Sequence, residues 1–249
     1  MNDNLHNTKT ITFLKDTELT QSSIESSKRP DLGTTGSFKT YPDTPKIVLP
    51  KARWNLSEAR IIPLLQNRRS RRKFSPGFLD LDGLAFLLWC SQGLTAKAGT
   101  HYLRTAPSAG ALYPIETYLS VQSVESITAG LYHFDPLLFQ LELLKDKDVK
   151  VDTARAFLGQ KFMENAAVNI IWTSMARRTL AKYGDRGGRY IFLDAGHICQ
   201  NVLIAAEAIN CGSCPVAAFY DQEVNDLLDI DGVEETAIYG ASIGKKMNR

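Results

Sequence analysis

The segment RGGRYIFLDAGHICQNVLIAAEAIN, Arg186–Asn210, is the stretch on which the fold turns. Phe192, Ala195, Gly196, Cys199, Val202, Leu203 and Ala206 recur at three- and four-residue intervals, the spacing of one helix face. The pattern predicts a helix from about Gly188 to Asn210. Alanine and glycine in the stripe permit close approach of another helix, so the segment is either a buried spine or a subunit contact.

Strand signals lie on both sides of it. ETYLSVQ (116–122) alternates, and AVNIIWTS (167–174) is a buried-looking run. GLYHFD (130–135) and LFQLELL (138–144) flank a turn at Pro136 and suit a hairpin. CPVAAF (214–219) and ETAIYGASIG (235–244) follow the helix. Upstream, SEARIIPLLQNRR (57–69) predicts a helix with Pro63 in its first turns or at a kink. LDLDGLAFLLWCSQG (79–93) predicts another, starting near Asp80 or Asp82 and stopping at Gly93. The order is helices, strands, helix, strands. It favours an α+β sheet flanked by helices over a doubly wound parallel sheet.

Residues 1–50 are rich in Ser, Thr, Asp and Pro. They read as an N-terminal arm, flexible early and strapped to the body near Ile47–Leu49, ahead of a domain spanning 51–249. Among the 249 residues 44% are hydrophobic and 22% charged, which excludes wholesale disorder. The net charge of +2 argues against a broad nucleic-acid-binding face. No run is long and apolar enough for a membrane helix, and the N-terminus lacks the pattern of a signal peptide. A soluble cytoplasmic protein is the expectation. Cys211 and Cys214 have the spacing of a redox dithiol or half a zinc site. No second pair completes a zinc site, and the pair precedes an expected strand instead of opening a helix, so two small packed thiols fit better.

Five stretches carry possible chemistry. NRRSRRKF (67–74) packs five cations into six positions. At a helix end they could simply be solvated, but Ser70 among guanidinium groups is also a phosphate-binding arrangement. RTAPSAGALYP (104–114) sets small residues between two prolines, allowing something flat to approach the backbone; an ordinary tight loop would read the same way. LAKYGDRGGRY (180–190) places Lys182 beside Tyr183, with Arg186 and Arg189 nearby, a pairing suited to proton transfer or merely to an exposed helix start. PVAAF (215–219) and GASIGKK (240–246) add small residues and two lysines at strand ends. His101, His133 and His197 have no metal spacing, and no metal is expected.

Together, RRSRRKF, APSAGALYPIE, GLYHFDP, KYGDRGGRY, LDAGHICQN and PVAAF resemble, in this order, the FMN-dependent nitroreductase superfamily. Within it they look like the SagB-type dehydrogenases, which oxidise thiazolines or oxazolines; FKTYPDTPKIVLPK (38–51) is similar to the arm of that branch. The resemblance implies a nitroreductase-like α+β fold with a central, mainly antiparallel sheet flanked by helices, in an intertwined homodimer with FMN at the interface. It implies that Arg68, Arg69 and Ser70 bind the FMN phosphate and ribityl, reinforced by Arg72 and completed by Lys245. Pro107, Ser108, Ala109, Gly110 and Leu112 would meet the flavin from the partner chain, and Val216, Ala217 and Ala218 would lie along its rings. Lys182 and Tyr183 would be catalytic, removing a proton while hydride passes to the flavin. Gly188 stands where this branch commonly has tyrosine, and Ala217 where glycine is frequent. Implied partners are a peptide substrate and a cyclodehydratase, with no nucleic acid and no membrane. An NAD(P)H-driven nitroreductase or quinone reductase, and a non-catalytic flavin-binding scaffold, remain alternatives.

Overall fold

The computed structural model describes residues 8–20, 30–33, 35–51, 59–99 and 101–247. In chain order the elements are α1 (Lys9–Asp16), β1 (Lys46–Val48), α2 (Ile61–Asn67), α3 (Leu81–Gln92), β2 (Leu94–Ala98), β3 (His101–Arg104) and β4 (Ile115–Val121). Then follow β5 (Gly130–Asp135), β6 (Gln140–Lys145), α4 (Lys150–Ala156), β7 (Val168–Met175), α5 (Arg177–Tyr183), α6 (Gly187–Ala208), β8 (Cys211–Val216), α7 (Asp221–Leu228) and β9 (Glu235–Lys245).

Seven strands form one sheet in the order β1-β6-β5-β4-β7-β9-β8, every neighbouring pair antiparallel. Two-residue periodicity sends alternate side chains of the central strands to opposite faces. Val168, Ile170 and Trp172 of β7 join the core built on α3 and α6, whereas Ile171 joins Phe157, Val224 and Leu228 beneath α4 and α7. Burial on both faces explains why AVNIIWTS reads as a buried run with no strict alternation.

The helices end where their chemistry stops them. Asp80 caps α3 by accepting from Gly83 N at 2.5 Å, and Gly93 closes it. In α6 the residues Ala195, Cys199, Val202, Leu203 and Ala206 are buried, but Phe192 and Gly196 of the same stripe face solvent. The helix is a spine that also presents an apolar outer edge. The expected start of α2, Ser57 and Glu58, lies outside the described residues; the described helix begins at Ile61, with Pro63 in its first turn. Cys211 and Cys214 lie inside β8, so that strand begins earlier than CPVAAF suggests.

A buried polar chain fastens the arm to the sheet. His133 Nδ1 lies 2.9 Å from Glu142 Oε2 and Nε2 lies 3.2 Å from Glu116 Oε2. Arg178 reaches the other Glu116 oxygen at 2.6 Å. From the arm, Lys46 Nζ and Tyr41 N each reach Glu142 at 3.0 Å. Burial opposes charge on both partners, but the hydrogen bonds outweigh it: His133 is raised, and Glu142 is held down to about 2. No helix among the described residues is long and apolar enough to cross a membrane.

Candidate functional site

The cation cluster is pinned to the end of the sheet by main-chain bonds. Ser70 bridges to Ser213, Arg71 N donates to Ser213 O at 2.8 Å, and Ser75 N donates to Lys245 O at 2.9 Å. Phe74 is buried against Gly244 of β9, so the segment runs along β8 and β9 and brings Lys245 beside it. The side chain of Lys245 passes close to Gly77. Arg69 donates to Gln66 O and Arg68 O, both at 2.8 Å, and Arg72 stands 6.0 Å from the Phe162 ring. Among the described residues, none of Arg68, Arg69, Arg71, Arg72, Lys73 and Lys245 pairs with a carboxylate. Lys246, by contrast, meets Glu207 at 2.7 Å. Six cations gathered on one main-chain segment and the adjoining strand end repel one another, and a phosphate dianion would relieve that repulsion through charge-assisted bonds.

The second group forms around Pro107–Leu112. Ser108 Oγ donates to Asp194 Oδ2 at 2.5 Å, Ala109 N donates to Asp194 Oδ1 at 3.3 Å, and Tyr113 N donates to Ser108 Oγ at 2.9 Å. The hydroxyl of Ser108 is thereby committed to holding the turn. Burial raises the Asp194 pKa, against the lowering effect of those two bonds. Gly110 has φ +64°, and Ala111 and Tyr113 also have positive φ, so the turn is tightly wound. Lys182 and Tyr183, at the end of α5, close on it. A methyl on Gly110 would lie 2.6 Å from Tyr183 Oη and 2.7 Å from Lys182 Nζ. The lysine ammonium stands 5.3 Å from the tyrosine ring. A tyrosine oxygen and a lysine nitrogen thus share the place a side chain would fill, a pair able to pass a proton when one of the two is deprotonated.

Val216 is buried at the end of β8, and Ala217 and Ala218 beyond it are exposed, leaving a strand end lined by methyl groups. Among the described residues no hydrogen bond or ion pair joins the cation cluster to the Gly110 turn. Both lie against α6: Asp194 holds the turn, and the charge of Arg68 reaches Cys199 more than a helical turn further on. The structure therefore groups Arg68, Arg69, Ser70, Arg72 and Lys245 in one place, and Pro107–Leu112 with Lys182 and Tyr183 in another. The donors of the first group and the small residues of the second and of β8 fit a phosphorylated, planar group such as FMN.

Asp194 was not apparent as a site residue in the sequence; a lone acid within an apolar helix stripe was its one signal. Arg186 and Arg189 do not turn toward Lys182: both donate to the end of α1 instead. Burial raises the thiols, Cys90 and Cys199 up to about 12 and Cys211 to about 11, with Cys199, Cys211 and Cys214 buried and Cys90 partly so. Among the described residues no cluster suits a metal.

Comparison with known proteins is consistent with this geometry. Residues 65–245 match the model of the nitroreductase family. A nitroreductase-like protein of Methanocaldococcus jannaschii is 34% identical over 205 residues, covering 82% of this chain and 98% of its own. The trifolitoxin-processing protein TfxB of Rhizobium leguminosarum bv. trifolii is 25% identical over 173 residues, covering 66% of this chain but only 46% of its own. A nitroreductase-like crystal structure from Anabaena variabilis superposes with a TM-score of 0.75 at 27% identity, over 95% of this chain and 47% of that one. A chain of the Escherichia coli microcin synthetase McbBCD complex, with truncated pro-microcin bound, shares the fold at a TM-score of 0.62 and 23% identity, over 74% of this chain and 73% of its own.

Proposed function

We propose that this chain, which belongs to the nitroreductase family, is an FMN-dependent oxidoreductase that oxidises thiazoline or oxazoline rings in peptides to azoles. The observation that carries the reading is the set of cations at Arg68–Lys73 and Lys245, without a carboxylate partner among the described residues, on a segment whose main chain is bonded to the end of the sheet. Arg68, Arg69 and Ser70 take the phosphate and ribityl, with Arg72 and Lys245 completing the cradle. Val216, Ala217 and Ala218 present small groups to the rings, and Pro107, Ser108, Ala109, Gly110 and Leu112 cover them from a second copy. Bound FMN supplies a hydride acceptor.

The remaining steps belong to the chain's own side chains. Within the Lys182–Tyr183 pair, the member in its deprotonated form takes the proton from the azoline ring carbon as the hydride leaves, and the other holds it in place, so two electrons and two protons depart from the ring. Gly110 keeps the space between their polar ends free of a side chain, and Asp194 fixes the turn that positions it. The net positive field of the cluster favours negative charge developing on the acceptor.

Homodimerisation is part of the reading. Ile61, Ile62 and Leu65 of α2 and Phe192 and Leu193 of α6 are exposed apolar residues on two helices that touch. A second copy would cover them. Residues 51–249 then form the flavin-binding domain and 1–50 an arm. A peptide substrate and a ring-forming cyclodehydratase partner belong to the same reading, and the trifolitoxin-processing role that TfxB is named for supports a processing function; this chain spans under half of that relative's length.

The test is to incubate flavin-loaded protein with an azoline-containing peptide and follow the loss of two hydrogens by mass spectrometry. The reading predicts azole formation with transient bleaching of the flavin. Bleaching by NAD(P)H, with turnover of a nitroaromatic and no azole, would overturn it in favour of the nitroreductase activity that the M. jannaschii relative's description suggests.

A further inference from the structure

Helix α1 has eight residues, none of them buried. A helix this short is not stable by itself in water, so its docking contacts hold it. Arg186 Nη1 donates to Thr17 O at 2.8 Å, Arg189 Nε donates to Thr17 Oγ1 at 2.8 Å, and Arg189 also donates to Leu14 O. Two guanidinium groups therefore close the carbonyl end of α1, where cations are favoured. Thr17 is buried beneath them. Phe13 lies across Gly188: a methyl there would stand 3.3 and 3.4 Å from the ring's Cζ and Cε2. The missing side chain of Gly188 is the seat for Phe13.

The contacts continue inward. The Arg186 guanidinium lies 5.8 Å from the centre of the Tyr190 ring, and Tyr190 meets Tyr183 edge to face at 4.9 Å and 82°. One unbroken series thus links the carbonyl end of α1, Arg186, Tyr190 and Tyr183, whose hydroxyl rests at Gly110. Without α1, Arg186 would lose its carbonyl acceptor in a half-buried setting and would turn to solvent, freeing the face of Tyr190.

We propose that α1 is a positioning element acting in cis, and that Arg186 and Tyr190 are positioning residues that set the Tyr183 ring against Gly110. The inference rests on the reading of Tyr183 as a catalytic residue, yet the linkage can be measured without any cofactor. The experiment uses the full chain and the variants Phe13→Ala, Arg189→Ala, Tyr190→Leu and Tyr190→Phe. Hydrogen exchange of the cofactor-free protein is the first readout. Phe13→Ala and Arg189→Ala should speed exchange about tenfold in residues 9–17 and in 183–190 together. Faster exchange in 9–17 with 183–190 unchanged would overturn the linkage.

The pH profile of kcat in the flavin-loaded protein is the second readout. Arg189→Ala and Tyr190→Leu should both shift its limbs with KM held, and Tyr190→Phe should restore the native profile. Profiles that superimpose on the native one would reduce α1 to packing. Coupled exchange in a protein that takes up no flavin would contradict the functional reading and leave the linkage standing; uncoupled exchange in an active flavoprotein would do the reverse.

Discussion

Replacing Gly110 by alanine tests the contact on which the proposed chemistry depends. Two costs are separable. An L-residue at φ +64° costs about 1–2 kcal/mol. The added methyl would also lie 2.6 Å from Tyr183 Oη, whereas a tolerable carbon–oxygen contact is about 3.3 Å, so the phenol must retreat by about 0.7 Å. The Lys182 head, exposed and flexible, can move away at little cost. The tyrosine ring meets Tyr190 edge to face, so its retreat disturbs that contact. Displacement of a reacting group by about 1 Å is worth up to about a hundredfold in rate, so kcat per bound flavin should fall about ten- to hundredfold. Gly159→Ala is the control: it has φ +68° and nothing within 4 Å of an added methyl, so it carries the backbone cost without the collision. Thermal denaturation and single-turnover flavin reduction would be measured on both variants. Equal losses of stability, with Gly110→Ala turning over at the native rate, would refute the assignment of Lys182 and Tyr183.

Loss of the cations should affect cofactor affinity and not the fold: Arg68→Ala or Arg69→Ala should weaken FMN binding about ten- to hundredfold each in a fluorescence titration, the value of a charge-assisted bond. Acid should unfold the protein through Glu142, whose pKa falls from an ordinary 4.5 to about 2 against the opposing effect of burial. Its stabilisation, about 3 kcal/mol, is complete above pH 4.5 and lost as the pH falls toward 2, and Glu142→Gln should flatten that limb in pH-dependent denaturation. His133 works in the opposite sense, its raised pKa making its contribution complete below pH 6.5 and lost as the pH rises through the folded value. Thiol reagents should leave native Cys199, Cys211 and Cys214 untouched and label all four cysteines in urea; rapid native labelling of Cys199 or Cys211 would contradict their burial. Leu65→Asp with Phe192→Asp should give a monomer by light scattering and weaken FMN binding in parallel.

The sequence was most legible where packing imposes a period. The stripe of α6, the capped start of α3 at Asp80 and the β5–β6 hairpin at Pro136 all follow from burial on a defined face. Elements that bury little left no such trace. Helix α1 has no buried residue, the β2–β3 hairpin is largely exposed, and α5 buries Arg178 and Thr179 instead of an apolar stripe. The site divides along the same line. A run of unpaired cations is visible in sequence because nothing nearby in the chain could neutralise it. The meeting of Gly110 with Tyr183 spans 73 positions, and the roles of Asp194, Arg186 and Arg189 depend on segments distant in sequence.

The central claim is that the Arg68–Lys73 and Lys245 cluster holds one flavin phosphate per chain. Purified protein mixed with FMN, desalted and scanned tests it directly: absorbance near about 450 nm equivalent to one flavin per chain is predicted, lost on combining Arg68→Ala with Arg69→Ala. Colourless protein after the same treatment, or colour that survives the double substitution, would contradict the account.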